Sequence, residues 1–255
     1  MFELLFVFTC ISSIVLTSAG VAGGVILFGF LSISYGIQAA IGIHGFSQML
    51  VNGTKLLFFW KFIHWKIVFL FMLPVILGCY TGSVLINIVN PIILLFIVSI
   101  FICQTSVRNL FTKKPETNID ELVDDRHSNK SSITKTICVY LVATTSMIIG
   151  VSGPLMIPIL QKSGCKKESL IATKAICQFI LQISKITFLV TIVKFSYSSY
   201  LTEIIIIIAA TIFGVYLGKI ILNKINDTIF NYIINSLLLM IGIYLFFKSI
   251  NLAIN

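Results

Sequence analysis

Apolar stretches close to bilayer-crossing length recur along the whole chain, and they constrain its fold more than any other feature. A helix needs about 20 apolar residues to cross a hydrocarbon core, and four candidate segments fall in each half. In the first half they run from about Leu4 to Ile33, Ile37 to Trp60, Ile67 to Ile88 and Pro91 to Cys103. In the second half they run from about Thr136 to Leu160, Leu170 to Phe195, Leu201 to Leu222 and Ile229 to Phe247. Between the halves lies Arg108 to Lys135, with six basic and five acidic residues, a composition that favours a solvated linker. With 58% hydrophobic and 11% charged residues, the chain has too few polar groups to cover a soluble domain of 255 residues. The expected class is therefore an all-α integral membrane protein. Its parts are an N-terminal membrane repeat (1–107), a polar cytoplasmic linker (108–135) and a C-terminal membrane repeat (136–255).

The halves match in sequence as well as in count. A shift of 130 positions places Gly20-Val21-Ala22-Gly23 on Gly150-Val151-Ser152-Gly153, and places Gln48, Thr54, Lys55 and Phe58 on Gln178, Ser184, Lys185 and Phe188. Gly78-Cys79-Tyr80-Thr81-Gly82 answers Gly214-Val215-Tyr216-Leu217-Gly218 at a shift of 136. A common offset in separated motifs points to internal duplication.

Basic residues orient the repeat. Lysine and arginine favour cytoplasmic loops, which places the turn holding Lys61, His64 and Lys66, the linker, and the turn with Lys162, Lys166 and Lys167 on the cytoplasmic side. The first segment of each half must then enter and leave on the same side, turning at its glycine motif. Each half becomes a broken hairpin followed by three spanning helices, and an odd number of spans makes the halves inverted repeats. The alternative is eight full spans with parallel halves, which would put Lys162, Lys166 and Lys167 outside. The excess of 18 Lys+Arg over 9 Asp+Glu fits membrane loops and anionic headgroups, and no basic aromatic-interleaved motif points to nucleic acid. The apolar start has no basic n-region, the first Lys or Arg being Lys55, so a cleaved signal peptide is not expected.

The chemistry available lies on two stripes. His44, Gln48, Asn52 and Lys55, spaced by four, four and three residues, fall within about an 80° sector of one helix. The shift of 130 carries them onto Lys174, Gln178, Gln182 and Lys185. A charged side chain at the bilayer centre costs roughly 2.5–3.5 kcal/mol, so such groups face a cavity or one another. Snorkelling lysines and amides that merely join helices are the plain alternative. Gly20, Gly23 and Gly24, and in the second half Gly150, Ser152 and Gly153 before Pro154, permit helix breaks whose freed amides attract anions. Close helix packing would use the same small residues.

Several classes drop out. The acids outside the linker, Glu3, Glu168, Glu203 and Asp227, stand at ends or turns of the expected spans, which disfavours cation transport and a carboxylate proton relay. No Walker sequence and no nucleophile–base set is present, so neither ATP coupling nor an enzyme is expected. Cys10, Cys79, Cys103, Cys138, Cys165 and Cys177 are scattered without metal spacing, and no metal or cofactor is expected.

On Gly20-Val21-Ala22-Gly23-Gly24 with Ile41-Gly42, on Gly150-Val151-Ser152-Gly153 with Met156-Ile157-Pro158-Ile159 and Ala172-Thr173, and on the paired later glycines, the chain resembles the TauE/SafE family of membrane permeases, the sulfite exporters. The resemblance covers about Gly20 to Phe247. It implies passage of a small sulfur-containing anion, such as sulfite, thiosulfate or an organosulfonate, across a bacterial inner membrane by a multi-pass protein. Pro154 stands where the family's second motif carries glycine.

The expected function is thus a secondary transporter with a central site between the repeats. Gln48, Asn52, Gln178 and Gln182 would supply hydrogen bonds, Lys55 and Lys185 charge, and the amides around Gly23, Gly24, Ser152 and Gly153 an oxyanion cage, with His44 as a titrating candidate. Expected partners are the small anion and lipid, with a homodimer left open. The rival is a membrane scaffold or assembly subunit that binds a soluble partner through residues 108–135.

Overall fold

The computed structural model describes residues 2–19, 22–111, 129–150, 152–165, 168–221 and 227–254. They form ten α-helices: α1 (Phe2–Ala19), α2 (Ala22–Tyr35), α3 (Ile37–Phe59), α4 (Trp65–Ile88), α5 (Pro91–Phe111), α6 (Asn129–Ile149), α7 (Gly153–Lys162), α8 (Glu168–Thr191), α9 (Leu201–Ile221) and α10 (Asp227–Ile254). Short 3-10 turns at Trp60–Phe62 and Tyr197–Tyr200 lead into α4 and α9, and no strand occurs among the described residues. Trp65–Ile88, Glu168–Thr191 and Tyr197–Gly218 are each long and apolar enough to cross a membrane. Shorter apolar helices accompany them, including Gly23–Tyr35, Pro91–Gln104 and Ile133–Ile149.

The first segment of each half is two helices, broken at the glycine motifs. Gly20 and Val21 of the first motif and Val151 of the second lie outside the described residues. In the first half the Ser12 hydroxyl donates to the Gly23 carbonyl at 2.6 Å. Along one unbroken helix those residues would stand about 16 Å apart, so the chain folds back between them. In the second half α6 closes with the Gly150 amide on the Ser146 carbonyl at 3.0 Å. Gly150 then turns the chain at φ 82°, a backbone region that side chains rarely adopt, and a Cβ there would also overlap the Phe28 ring.

Ordinary helix signals set other boundaries. Asn90 accepts the Ile92 amide at 2.9 Å, and Pro91, with no N–H to satisfy, takes the first position of α5. Helix α5 continues to Phe111 and α6 starts at Asn129, while residues 112–128 of the expected linker lie outside the described residues. Hydroxyls within the apolar helices mostly donate to a carbonyl one turn back, as Thr9 does to Leu5 at 2.7 Å and Ser32 to Phe28 at 2.8 Å. That habit removes the cost of a hydroxyl in a hydrocarbon setting.

The helices pack in matched pairs: α4 on α6 and α1 on α9, with α5 on α10 and α3 on α8. Glycines make the closest approaches. A Cβ on Gly78 of α4 would strike the Tyr140 carbonyl and the Ala143 side chain of α6; one on Gly214 of α9 would strike the Cys10 carbonyl and Ser13 side chain of α1. Tyr140 and Ala143 stand 130 positions after Cys10 and Ser13, the offset that also aligns the glycine motifs. The outer surface is apolar, with Phe58, Ile88, Ile205, Met240 and Phe247 each at least 64% exposed. In water such a surface would aggregate; against acyl chains it is at home.

Candidate functional site

Helices α3 and α8 cross antiparallel at the centre of the bundle. The helices approach where Gly45 leaves room, a Cβ there standing 3.6 Å from Gln182 Oε1, and again where Gly53 faces the Phe179 ring at 3.3 Å. Residues later on α3 thus face residues earlier on α8. At the basic end the His64 amide donates to Thr173 Oγ at 3.0 Å, which ties the α3–α4 turn to the start of α8.

The N-termini of the two short helices after the breaks point at these stripes. Gly24, in the first turn of α2, is buried, and a Cβ there would lie 3.1 Å from Gln48 Nε2 and 3.4 Å from His44 Nε2. Ser152, just before α7, donates its hydroxyl to Gln178 Oε1 at 2.9 Å, and the place of a Gly153 Cβ is 3.8 Å from Lys174 Nζ. Phe28 joins the two breaks: its ring abuts Gly150 and stands 5.5 Å from His44 at an interplanar angle of 70°.

Most of the stripe is sealed from its surroundings. His44, Asn52, Ser152, Gln178, Gln182 and Lys185 are buried, whereas Gln48 and Lys55 are half-buried. Gln48 Nε2, Gln178 Nε2, Gln182 Oε1, Ser146 Oγ and both His44 ring nitrogens are buried polar atoms without a hydrogen-bond partner. His44 Nε2 lies 3.4 Å from the place of a Gly24 Cβ, yet neither ring nitrogen makes a hydrogen bond. A buried polar atom left unsatisfied costs about 1–3 kcal/mol, and several within one region make the usual explanation a ligand or water that shares them.

The lysines play different parts. Lys185, fully buried, donates to the Ser146 carbonyl at 3.2 Å and to the Gly150 carbonyl at 3.4 Å. Its charge sits at the C-terminus of α6, the negative end of that helix dipole. Lys55 lies one turn beyond Asn52 on the same stripe, toward the end of α3 that faces the start of α8. The Asn52 amide nitrogen donates to the Gln48 carbonyl at 2.8 Å, a bond within its own helix. Reasoning from sequence placed Lys174 on the stripe without assigning it a role, and it missed Phe28 and Ser146. The offset that pairs His44 with Lys174 was the available signal for the first; nothing local marks the other two.

Toward the N-terminal end of α3 the polar region gives way to aromatic rings. Phe195 rests on Gly42, a Cβ there falling 2.7 Å from the ring. Phe195 stacks on Tyr200 with centroids 5.4 Å apart, and Tyr197 packs edge-on against Phe46 and Phe195. A surface groove between α5 and α10, lined by Ile100, Val107, Ile243 and Phe247, is apolar and lies apart from all these groups.

The donor set suits an anion: two helix N-termini, two amide nitrogens and nearby ammonium groups. Neither α3 nor the described parts of α2 and α7 carry an acid, and Glu168 at the start of α8 is the one acid on that helix. Among the described residues no three of His, Cys, Asp and Glu cluster as metal ligands would. A family model described as "Sulfite exporter TauE/SafE" matches residues 4–245, nearly the whole chain. No curated protein and no solved structure matches.

Proposed function

We propose that this chain, which belongs to the sulfite exporter TauE/SafE family of membrane transporters and is not an enzyme, carries a small sulfur-containing oxyanion through the crossing of α3 and α8. The observation that carries the reading is the pair of buried amide nitrogens, Gln48 Nε2 and Gln178 Nε2, each without an acceptor and each beside a helix N-terminus. An oxyanion brings several acceptors at once. It would satisfy both amides, the first free amides of α2 around Gly23 and Gly24, and that of Gly153 in α7, with Asn52, Gln182 and the lysines Lys55 and Lys185 lending polarity around it.

The two halves would work as inverted repeats. Support comes from the antiparallel crossing of α3 on α8 and from the matched packing of α4 on α6 and α1 on α9 through glycines that correspond in sequence. Rocking one half against the other would then open the site to each side in turn. In this reading the Phe195, Tyr197 and Tyr200 rings close the side toward which α8 runs. The loops bearing Lys61, Lys66 and Lys162 face the cytoplasm of a cell whose inner membrane the protein crosses several times.

Purified protein in liposomes tests the reading. Labelled sulfite, thiosulfate and a small sulfonate should enter saturably, at least one of them faster than into protein-free liposomes. Folded protein that passes none of the three would overturn it.

A further inference from the structure

The orphaned atoms at the crossing differ in kind, and the kinds say what the anion must bring. Gln48 Nε2 and Gln178 Nε2 are donors in want of an acceptor. Gln182 Oε1, which meets α3 at Gly45, is an acceptor in want of a donor. His44 is both at once. It is 1% exposed and neither ring nitrogen has a partner, and a neutral imidazole carries one N–H and one bare lone pair whichever nitrogen holds the proton. Its Nε2 and Gln48 Nε2 converge on one point of the first turn of α2, 3.4 and 3.1 Å from the place of a Gly24 Cβ. The charged group at this level of the crossing is Lys185 of α8. It directly precedes Ile186, whose side chain also meets Gly45, and it donates to the Ser146 and Gly150 carbonyls. Helix α2 and the last turn of α6 carry no charged residue, and on α9 Glu203 stands about two turns before Thr211, which meets Ser47 at 3.2 Å. No acid therefore faces the His44 ring to pair an imidazolium, and its second nitrogen is an acceptor.

We infer that the crossing selects a singly charged oxyanion that carries a proton, with His44 as the specificity-determining residue that reads it. Such an anion, hydrogensulfite being the sulfur example, has oxygens for the Gln48 and Gln178 amides and for the α2 and α7 N-termini, and a proton for the bare His44 nitrogen. An anion built of acceptors alone, such as methanesulfonate or thiosulfate, sets lone pair against lone pair there and leaves His44 and Gln182 Oε1 unsatisfied. A site built to bond a substrate's hydrogen rejects the analogue that lacks it far more strongly than one that differs only in size. The inference names the substrate class of the proposed permease site; it rests on that reading for passage of the ligand, although not for its binding. Dihydrogenphosphate presents the same chemistry, so phosphate is a probe beside sulfite.

Binding is measured by calorimetry on the full-length protein in nanodiscs of uncharged lipid, with sulfite, methanesulfonate and phosphate as probes. Flux into liposomes is followed in parallel. Sulfite exchanges its second proton near neutrality: on the acid side it is mostly hydrogensulfite, matched to methanesulfonate in charge and similar in size, and on the alkaline side mostly the dianion. On the acid side the wild type should bind sulfite at least about tenfold more tightly than methanesulfonate. On the alkaline side sulfite should weaken severalfold, while methanesulfonate, which reads any change in the protein itself, stays unmoved. His44→Leu should remove most of the preference and flatten the response to pH; His44→Gln, which again offers one donor and one acceptor, should keep both. Equal wild-type affinity for the two monoanions, as when a water already serves the acceptors, or tighter sulfite binding on the alkaline side, overturns the inference. These comparisons need no variant, so a variant that fails to fold does not shield it. Selective sulfite binding without flux would uphold the inference and overturn the permease reading; flux without discrimination would do the reverse. Tighter binding of phosphate than of sulfite, lost in His44→Leu, would uphold the proton-bearing class and overturn the sulfur anion as cargo. Neither binding nor flux overturns both.

Discussion

Gln178→Leu separates a binding role from a structural one, because the amide has one partnered and one unpartnered end. Leucine is close in volume and carries neither. The change removes the buried Nε2 that lacks an acceptor, which relieves about 1–3 kcal/mol, and it orphans the Ser152 hydroxyl now bonded to Oε1 at 2.9 Å, which costs a similar amount. The two terms oppose each other, so the thermal midpoint should move little. Anion binding has no such offset. A hydrogen bond to a charged group contributes about 1.5–3 kcal/mol, and each 1.4 kcal/mol is tenfold, so KM for the transported anion should rise roughly 10- to 100-fold. Gln178→Glu keeps an acceptor for Ser152 but sets a negative charge against the anion, and it should abolish uptake. The concentration dependence of labelled uptake into liposomes, with melting curves on the same preparations, reads both effects. A normally folded Gln178→Leu protein with unchanged KM would refute the placement of this amide in the site.

Gly150→Ala and Gly36→Ala both place a side chain at φ 82°, at a cost of about 1–3 kcal/mol, but only Gly150 also faces the Phe28 ring while Gly36 faces open space. Melting of the Gly150 variant should therefore fall further by about 1–3 kcal/mol, and Phe28→Leu should restore part of the loss in that background alone. Gly78→Val and Gly214→Val should destabilise by similar amounts, each about 1–3 kcal/mol, since each forces apart one of two matched helix contacts; a large inequality in their melting would argue against equivalent packing of the halves. Replacing residues 112–128 by a short Gly/Ser linker should leave liposome flux intact, whereas a scaffold that works through this segment would lose a bound partner.

What local sequence encodes, the residues revealed. The breaks after α1 and α6 follow from glycines that end a helix by backbone preference, and the stripes on α3 and α8 follow from helical periodicity; both are properties of a few adjacent residues. Spatial pairing is not local. The offset of 130 matches Lys55 with Lys185, yet an antiparallel crossing sets the end of one helix against the start of the other, so Lys55 falls toward the Lys174 end of α8 and His44 toward the Lys185 end. Correspondence in sequence and placement along the crossing are thus opposite assignments for the same four residues. Phe28 illustrates a second reason. On α2 it is one apolar residue among many, and only the turn at Gly150, over 120 positions later, gives its ring a particular neighbour.

Selenite, a heavier analogue of sulfite, tests the central site most directly. Anomalous diffraction from crystals of the protein grown with selenite should place one selenium peak between the Gln48 and Gln178 amides, within hydrogen-bond reach of both and of the first turns of α2 and α7. Clear density for those side chains with no selenium between them, or selenium bound only at the protein's surface, would contradict the account.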